Sequence, residues 1–207
     1  MSIQLEARGL RKTFSRRIIF QDISARVSEG ETLLIAGRNG SGKSTLVKIL
    51  CGILSPSQGS VDITGAGVLD EFTRKGLFGF VAPYLQVYEE FSAMENLALG
   101  ASLRGLRADV AVHAALLGRF ALDPRRNDPA RGFSSGMKQR LKYALALAHQ
   151  PRILVLDEPM ANLDAEGSAI VRAIMHEQRT RGILVVATND LSDIDAHERK
   201  VDLNAGA

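Results

Sequence analysis

The chain has 207 residues, 45% of them hydrophobic, no Trp, and a formal net charge of +3. That allows one well-buried core, or a core with a smaller subdomain riding on it, and excludes a disordered, collagenous or disulfide-scaffolded chain. Cys51 is the only cysteine and reads as a small apolar residue on a buried helix face.

The charge is too slight for an obligate nucleic-acid binder. It is uneven, however. Arg104, Arg107, Arg119, Arg125, Arg126, Arg131, Lys138, Arg140 and Lys142 crowd the middle against Asp109, Asp123 and Asp128. Such a face suits phosphate, lipid headgroups or an acidic partner loop, or is a solvated surface. No apolar run approaches the ~18–20 residues that cross a bilayer. The opening Met1-Ser2-Ile3-Gln4-Leu5-Glu6 lacks the order of a secretory signal. The expectation is a cytoplasmic chain that meets the inner (plasma) membrane only through another protein.

In chain order, Ile3 to Leu10 alternates apolar and polar residues as a half-buried strand does, and Arg17 to Val27 repeats this with Ile19, Ile23, Ala25 and Val27 on one face. Glu29-Gly30 is a turn signal. Thr32 to Ala36 is continuous and apolar, as a buried parallel strand should be, and runs into a glycine-rich loop. Thr45 to Leu50 follows with helical spacing. Ser55 to Gly59 breaks the chain, and Ser60–Ile63 and Leu77–Val81 read as further strands. Ser92 to Gln150 is helical, interrupted near Asp123-Pro124 and Asp128-Pro129. Ile153–Leu156, Ile183–Ala187 and Lys200–Leu203 complete the strands. Strands at both ends with helices between predict an α/β core carrying a helical subdomain at roughly 84–150, within a single domain spanning 1–207.

The loop Gly37-Arg38-Asn39-Gly40-Ser41-Gly42-Lys43-Ser44 fits the phosphate-binding pattern G-x-x-x-x-G-K-[ST], with a buried strand before it and a helix after it. The glycines let backbone N–H groups turn toward phosphate oxygens, and the helix N-terminus adds positive potential. Lys43 would bridge the outer phosphates as a point charge, and Ser44 would give its hydroxyl to Mg²⁺. Downstream, Ile153–Leu156 ends in Asp157-Glu158. A buried strand ends at the sheet rim where ligands bind, so Asp157 would hold Mg²⁺ and Glu158 would polarise the attacking water.

Phe133-Ser134-Ser135-Gly136-Met137-Lys138-Gln139-Arg140 resembles the ABC ATPase signature, usually L-S-G-G-Q before a basic stretch. The order of motifs matches that family across nearly the whole chain. The resemblance implies a P-loop NTPase of ABC type: a mostly parallel core sheet, an N-terminal antiparallel β-subdomain and an inserted helical subdomain. It implies ATP and Mg²⁺ as cofactors, with Thr45 joining the phosphate-loop residues at the nucleotide. Phe14 would stack on adenine where the family has Tyr, unless it is a plain core residue. Ser134, Ser135 and Gly136 would meet the ATP held by a second copy, or by a related ATPase. Asp164, in Asn162-Leu163-Asp164, would belong to the loop linking the two sites.

Three positions depart from the family pattern. Ser135 and Met137 replace Gly and Gln of the signature. Pro83 stands where a metal-sensing Gln is expected; Gln86, three residues later, either takes that role, as nucleotide and metal contact, or is a surface residue. Asn189, in Thr188-Asn189-Asp190, stands where the family has a switch histidine; an amide bonds phosphate or water but carries no charge. His113, His149, His176 and His197 lack metal-ligand spacing and are expected at the surface.

The function implied is the ATP-hydrolysing subunit of a membrane transporter, working through separate integral membrane subunits, with a compact length like that of small bacterial exporter ATPases of the haem-exporter type. The alternative is a non-transport ABC ATPase acting on ribosomes or DNA. Those usually carry tandem cassettes, coiled-coil inserts or zinc modules, which this sequence lacks. Nucleic acid is not an expected partner.

Overall fold

In this computed structural model, which describes residues 2–65, 67, 71–194 and 197–204, the chain opens with a hairpin of β1 (Gln4–Phe14) and β2 (Arg17–Ser28). Then come β3 (Thr32–Ala36), α1 (Lys43–Leu50), β4 (Gln58–Thr64), α2 (Glu71–Gly76) and β5 (Phe78–Val81). The helices α3 (Ala93–Ser102), α4 (Val110–Arg119) and α5 (Ser135–Leu147) follow. The chain closes with β6 (Ile153–Asp157), α6 (Ala165–Arg181), β7 (Ile183–Thr188) and β8 (Arg199–Asp202).

The first sheet is antiparallel, in the order β2-β1-β4; the second has five parallel strands in the order β5-β6-β7-β3-β8. Side chains of a strand alternate between faces, and here the alternation sorts them into two cores. Ile153, Val155, Ile183, Val185, Leu33 and Ile35 pack with α1 (Leu46, Val47, Ile49, Leu50) and with the antiparallel sheet through Ile3, Leu5, Leu10 and Val27. Leu154, Leu156, Leu184 and Val186 pack with α5 (Leu141, Ala144, Leu147) and α6 (Val171, Ile174, Met175). Each such side chain contributes ~1.5–3 kcal/mol on burial. Both faces being covered is why these strands read as continuous apolar runs rather than alternating ones.

The inserted helices share the second core: Leu97, Leu117, Phe120, Leu122 and Tyr143 belong to the same cluster as the sheet residues. Their boundaries are set locally. Ser92 caps α3 in a reciprocal box, its Oγ accepting from Glu95 N (3.2 Å) while the Glu95 carboxylate accepts from Ser92 N (2.7 Å). Asp109 caps α4. The interruptions expected at Asp123 and Asp128 are short 3₁₀ turns at Asp123–Arg125 and Ala130–Gly132.

The basic middle segment is compensated in place. Arg125 pairs with Asp128 (2.7 Å), Arg126 with Asp123 (2.8 Å), Arg131 with Glu90 (2.8 Å), Lys138 with Glu89 (2.6 Å) and Arg119 with Glu177 (2.6 Å). Three of those carboxylates, Glu89, Glu90 and Glu177, lie outside the crowded stretch, so the imbalance in sequence is partly offset in space.

One surface expectation is corrected. His113 is 4% exposed on α4, and His149 is half-buried with Nε2 at 2.9 Å from the Phe78 carbonyl oxygen; His176 and His197 are exposed. Cys51 is buried, and burial pushes its thiol up to about 12, as the inert reading requires.

Candidate nucleotide and metal site

The phosphate loop joins the end of β3 to α1. Gly40 (φ 82°) and Gly42 (φ 103°) hold left-handed backbone, and Gly42 is the N-cap of α1, where no side chain caps the helix. The first turn of α1 also lacks an acidic residue, so its N–H groups and dipole remain directed at the loop. At Gly37 an added Cβ would stand 2.4 Å from Ser41 Oγ, and at Gly42 it would stand 2.6 Å from Ile19 Cγ2, so a side chain at either would have to displace a neighbour. Asn204 Oδ1 braces it by accepting from Arg38 N at 3.0 Å. Ser41 Oγ is buried with no partner, which suits a loop shaped for anionic oxygens.

Lys43, the first residue of α1, is 5% exposed. Its Nζ donates to Gly37 O (2.8 Å) and Arg38 O (3.4 Å) and lies 3.1 Å from Glu158 Oε1. Ser44 follows on the same turn, half-buried beside the end of β6, and Thr45 is half-buried next to it.

Asp157 ends β6 and is 1% exposed. Burial, reinforced by the neighbouring Glu158 charge, pushes its pKa above the ordinary carboxylate value, while the Ser44 and Tyr84 hydroxyls and Lys43 offset part of that. Neither hydroxyl closes a bond of full geometry, so both Asp157 oxygens lack a hydrogen-bond partner. A buried carboxylate with two free oxygens beside a serine hydroxyl is a donor set that fits a hard divalent cation such as Mg²⁺.

Glu158 takes a left-handed conformation (φ 49°), with its N–H donating to Ala187 O at 2.7 Å. That conformation costs a non-glycine residue ~1–2 kcal/mol. It turns the carboxylate off the strand line and into the loop, where Oε1 meets Lys43 and Oε2 lies 3.5 Å from Thr188 Oγ1. Thr188 also donates to Asp193 Oδ2 at 2.7 Å. Asn189, next along, is exposed and its Nδ2 lies 3.4 Å from Asn39 Oδ1. The amide is therefore beside the phosphate loop.

Ser134 is the N-cap of α5, its Oγ accepting from Met137 N at 3.2 Å, and Ser135 is the first, exposed residue of that helix. An added Cβ at Gly136 would stand 3.4 Å from Asn162 O, and Asn162 itself is left-handed (φ 62°). Asp164 caps α6, accepting from Gly167 N at 2.8 Å. The start of α5 thus packs on the Asn162–Asp164 loop, while the phosphate loop is contacted by Glu158, Asn189 and Asn204.

The family description "ABC transporter" matches residues 20–161. The chain belongs to the ABC transporter family. It is 34% identical over 206 residues to the lipoprotein-releasing system ATP-binding protein LolD 1 of Caulobacter vibrioides, covering 92% of this chain and 88% of that one. It is 33% identical over 187 residues to the cytochrome c biogenesis ATP-binding export protein CcmA of Methylococcus capsulatus (88% and 89%). To the lantibiotic transport ATP-binding protein SrtF of Streptococcus pyogenes it is 30% identical over 194 residues (92% and 82%). Among solved structures, an ATP-binding subunit of an ABC transporter superposes with a TM-score of 0.80 at 29% identity, covering 91% of this chain and 80% of that one. A dimeric ATP-binding cassette bound to ADP and phosphate shares the fold, with a TM-score of 0.83 at 22% identity over 96% of this chain and 93% of that one.

Within this ABC ATPase, two expected residues lie apart from the phosphate site. Gln86 is exposed and lines a different cavity with Cys51, Phe80, Leu85 and Lys142, which Ser44 and Asp157 do not border. In that segment, Tyr84 has its hydroxyl near enough to Asp157 to offset part of the rise in the Asp157 pKa, without closing a hydrogen bond. No local spacing marks it, because the choice between Pro83, Tyr84 and Gln86 is made by the pairing of β5 with β6, where Val81 lies opposite Leu156. Phe14 ends β1, 47% exposed, with Lys12 Nζ 4.8 Å from its ring centroid. It does not line the cavity of about 640 Å³ that Ile18, Ile19, Arg38, Gly40, Ser41 and Asn204 form beside the phosphate loop.

Proposed function

We propose that this ABC ATPase works as a pair of copies, with MgATP bound between the phosphate loop of one and the signature of the other, on the cytoplasmic face of membrane subunits that carry the cargo path. The single observation behind the pairing is that Gly136 lies against the Asn162 carbonyl, while Lys43 contacts the Gly37 and Arg38 carbonyls and Glu158. A γ-phosphate held by Lys43 meets a signature only when another chain supplies it, either a second copy or a related ATPase.

Ser44 and Asp157 would hold Mg²⁺, which would neutralise charge between the outer phosphates. Lys43 leaves the Gly37 and Arg38 carbonyls to contact phosphate. Glu158, freed as Lys43 turns to phosphate, orients and polarises the attacking water, and Asn189 positions that water or a phosphate oxygen. Phe14 remains the candidate for the adenine face, and Gln86 for a contact outside the metal site.

The membrane partner has a candidate surface. A cavity of about 370 Å³ between the end of α1, β5 and α5 is floored by Ile53, Phe80, Leu85 and Leu145 and rimmed by Arg104 and Lys142. No helix among the described residues is long and apolar enough to cross a membrane. Relatives named for lipoprotein release, cytochrome c biogenesis export and lantibiotic transport match at 30–34% identity, so cargo choice is assigned to the membrane subunits and the haem-exporter reading has no separate support. The nucleic-acid alternative is weakened by the internal pairing of the basic segment.

The test is assembly. Glu158→Gln keeps size and hydrogen bonding but loses the charge that polarises water. With ATP it should form a dimer by light scattering, and with ADP it should stay monomeric. A Glu158→Gln chain that stays monomeric in saturating ATP at high protein concentration removes the two-copy reading.

A further inference from the structure

Glu158 holds its left-handed backbone (φ 49°) directly before Pro159, where the proline ring favours extended backbone instead. The conformation therefore has to be held from outside, and both flanks of the residue are tied. On one side the Glu158 N–H donates to Ala187 O at 2.7 Å. On the other, the Tyr143 hydroxyl in the third turn of α5 donates to Pro159 O at 2.7 Å, and Ala161 N donates to Glu158 O at 3.1 Å. Pro159 has no N–H, so that carbonyl is the one backbone polar group of a buried residue.

Tyr143 is fully buried, with its ring stacked on Phe120 at 6.3 Å between centroids. It lies in the apolar cluster that includes Leu141 and Leu156. A hydroxyl is costly to bury there unless it is bonded, and a plain aromatic ring would fill the same space. Burial, then the nearby Asp193 charge, pushes the phenol's pKa up, so it keeps the proton it donates.

We propose that Tyr143 is a positioning residue for Glu158: its hydroxyl fixes the Glu158-Pro159 turn in the form that aims the carboxylate at the attacking water. The proposal rests on the reading of Glu158 as the base. The need for it arises when nucleotide binds. In the free chain Lys43 holds the Glu158 side chain at 3.1 Å. Once Lys43 turns to phosphate that hold is lost, and Thr188 Oγ1, 3.5 Å from Glu158, is committed to Asp193 at 2.7 Å. The backbone ties then carry the orientation. Without the tie from Tyr143, the residue ahead of the proline relaxes toward extended backbone and its carboxylate swings away from the water.

The experiment compares the parent, Tyr143→Phe, Glu158→Gln and the double variant, each assayed for phosphate release well below its melting temperature. Tyr143→Phe keeps the buried ring and removes one oxygen. Its kcat should fall about tenfold to a hundredfold with KM for ATP unchanged, as for a displaced base in an intact binding site. In the Glu158→Gln background no base is left to position, so the same change should leave the residual rate as it is. In the nucleotide-free chain, amides of residues 158–163 should exchange hydrogen faster in Tyr143→Phe than in the parent, while those of α5 stay protected. A parent-like kcat or unchanged exchange at 158–163 overturns the proposal. So does an equal fold loss with and without the Glu158 carboxylate, or a loss of ATP affinity as large as the loss of kcat, since either marks a structural role only. Glu158→Gln separates the two levels. If it turns over at the parent rate, the base reading falls and the proposal with it; if it is inactive while Tyr143→Phe keeps the parent rate, the Tyr143 role alone falls.

Discussion

Lys43 Nζ lies 3.1 Å from Glu158 Oε1, so the cation of the phosphate loop and the carboxylate read as the water-orienting base form one ion pair. A phosphate that reaches Lys43 competes with Glu158 for it, and in doing so frees the carboxylate for water. Glu158→Gln should therefore separate binding from turnover. It removes the competing charge, so ATP should bind a few-fold tighter, while loss of the base lowers turnover by about 10²–10⁴. Calorimetry and phosphate release read the two effects. Turnover at the parent rate, or weaker ATP binding, would sink the assignment of Glu158.

Lys43→Ala removes the buried positive charge of the loop, the other, on Arg38, being exposed. A charge-assisted hydrogen bond is worth ~1.5–3 kcal/mol, so MgATP affinity should fall about tenfold to a hundredfold or more. The same titration on the variant checks it, and unchanged affinity would remove the phosphate-loop reading.

Ser134→Arg tests the geometry of sharing. Ser134 caps α5, two residues before the Gly136 that lies against the Asn162 carbonyl. ATP binding to a single chain should be unaltered, while turnover and ATP-driven dimerisation are lost. If the variant binds ATP more weakly as a monomer, the signature acts within its own chain and the two-copy arrangement is wrong.

His149 gives a pH dependence unrelated to catalysis. Burial, then the nearby Arg104 charge, depresses its pKa below the ordinary 6.5, while Nε2 meets the Phe78 carbonyl. The unfolded chain thus takes up a proton at a higher pH than the folded one. Stability is intact above about pH 6.5 and declines as pH falls through the window below it. His149→Gln can still donate to Phe78 O but does not titrate. Its melting temperature should fall less than the parent's between about pH 7 and about pH 5. Parallel curves for the two proteins would show that His149 does not contribute to the acid sensitivity.

What could be read in advance was what is encoded contiguously. Thr32–Ala36, Ile153–Leu156 and Ile183–Ala187 are apolar at every position because both faces of the parallel sheet are covered, and the glycine loop and Asp157-Glu158 follow directly from two of them. What depends on register or on polar residues in apolar positions was not legible. The helix α6 was missed although its buried positions, Gly167, Val171, Ile174, Met175 and Gln178, have helical spacing. Two of the five are a glycine and a glutamine, which read as surface. Gln178 is fully buried because its amide lies 3.3 Å from each of the Pro151, Arg152 and Ile183 carbonyl oxygens.

Asn189 is where the sequence departs from the family pattern closest to the chemistry, and the structure places it at the phosphate loop, 3.4 Å from Asn39 Oδ1. The amide can position water or a γ-phosphate oxygen, but it gives up a charge-assisted bond worth ~1.5–3 kcal/mol for a neutral one worth about 1. A deficit of about 1.4 kcal/mol in the transition state is tenfold in rate. Basal hydrolysis should therefore be slow but measurable, with Asn189→His faster than the parent and Asn189→Ala slower. Because Asn189 is exposed, neither change disturbs the core, and the comparison is made at saturating MgATP so that differences in binding drop out. The neighbouring Thr188–Asp193 bond at 2.7 Å holds the end of β7 in all three proteins, so a rate difference reports the side chain at 189 and not a displaced strand. An Asn189→Ala chain that turns over as fast as the parent would mean that Asn189 has no part in the reaction, and the switch position would have to be sought elsewhere on the loop after β7.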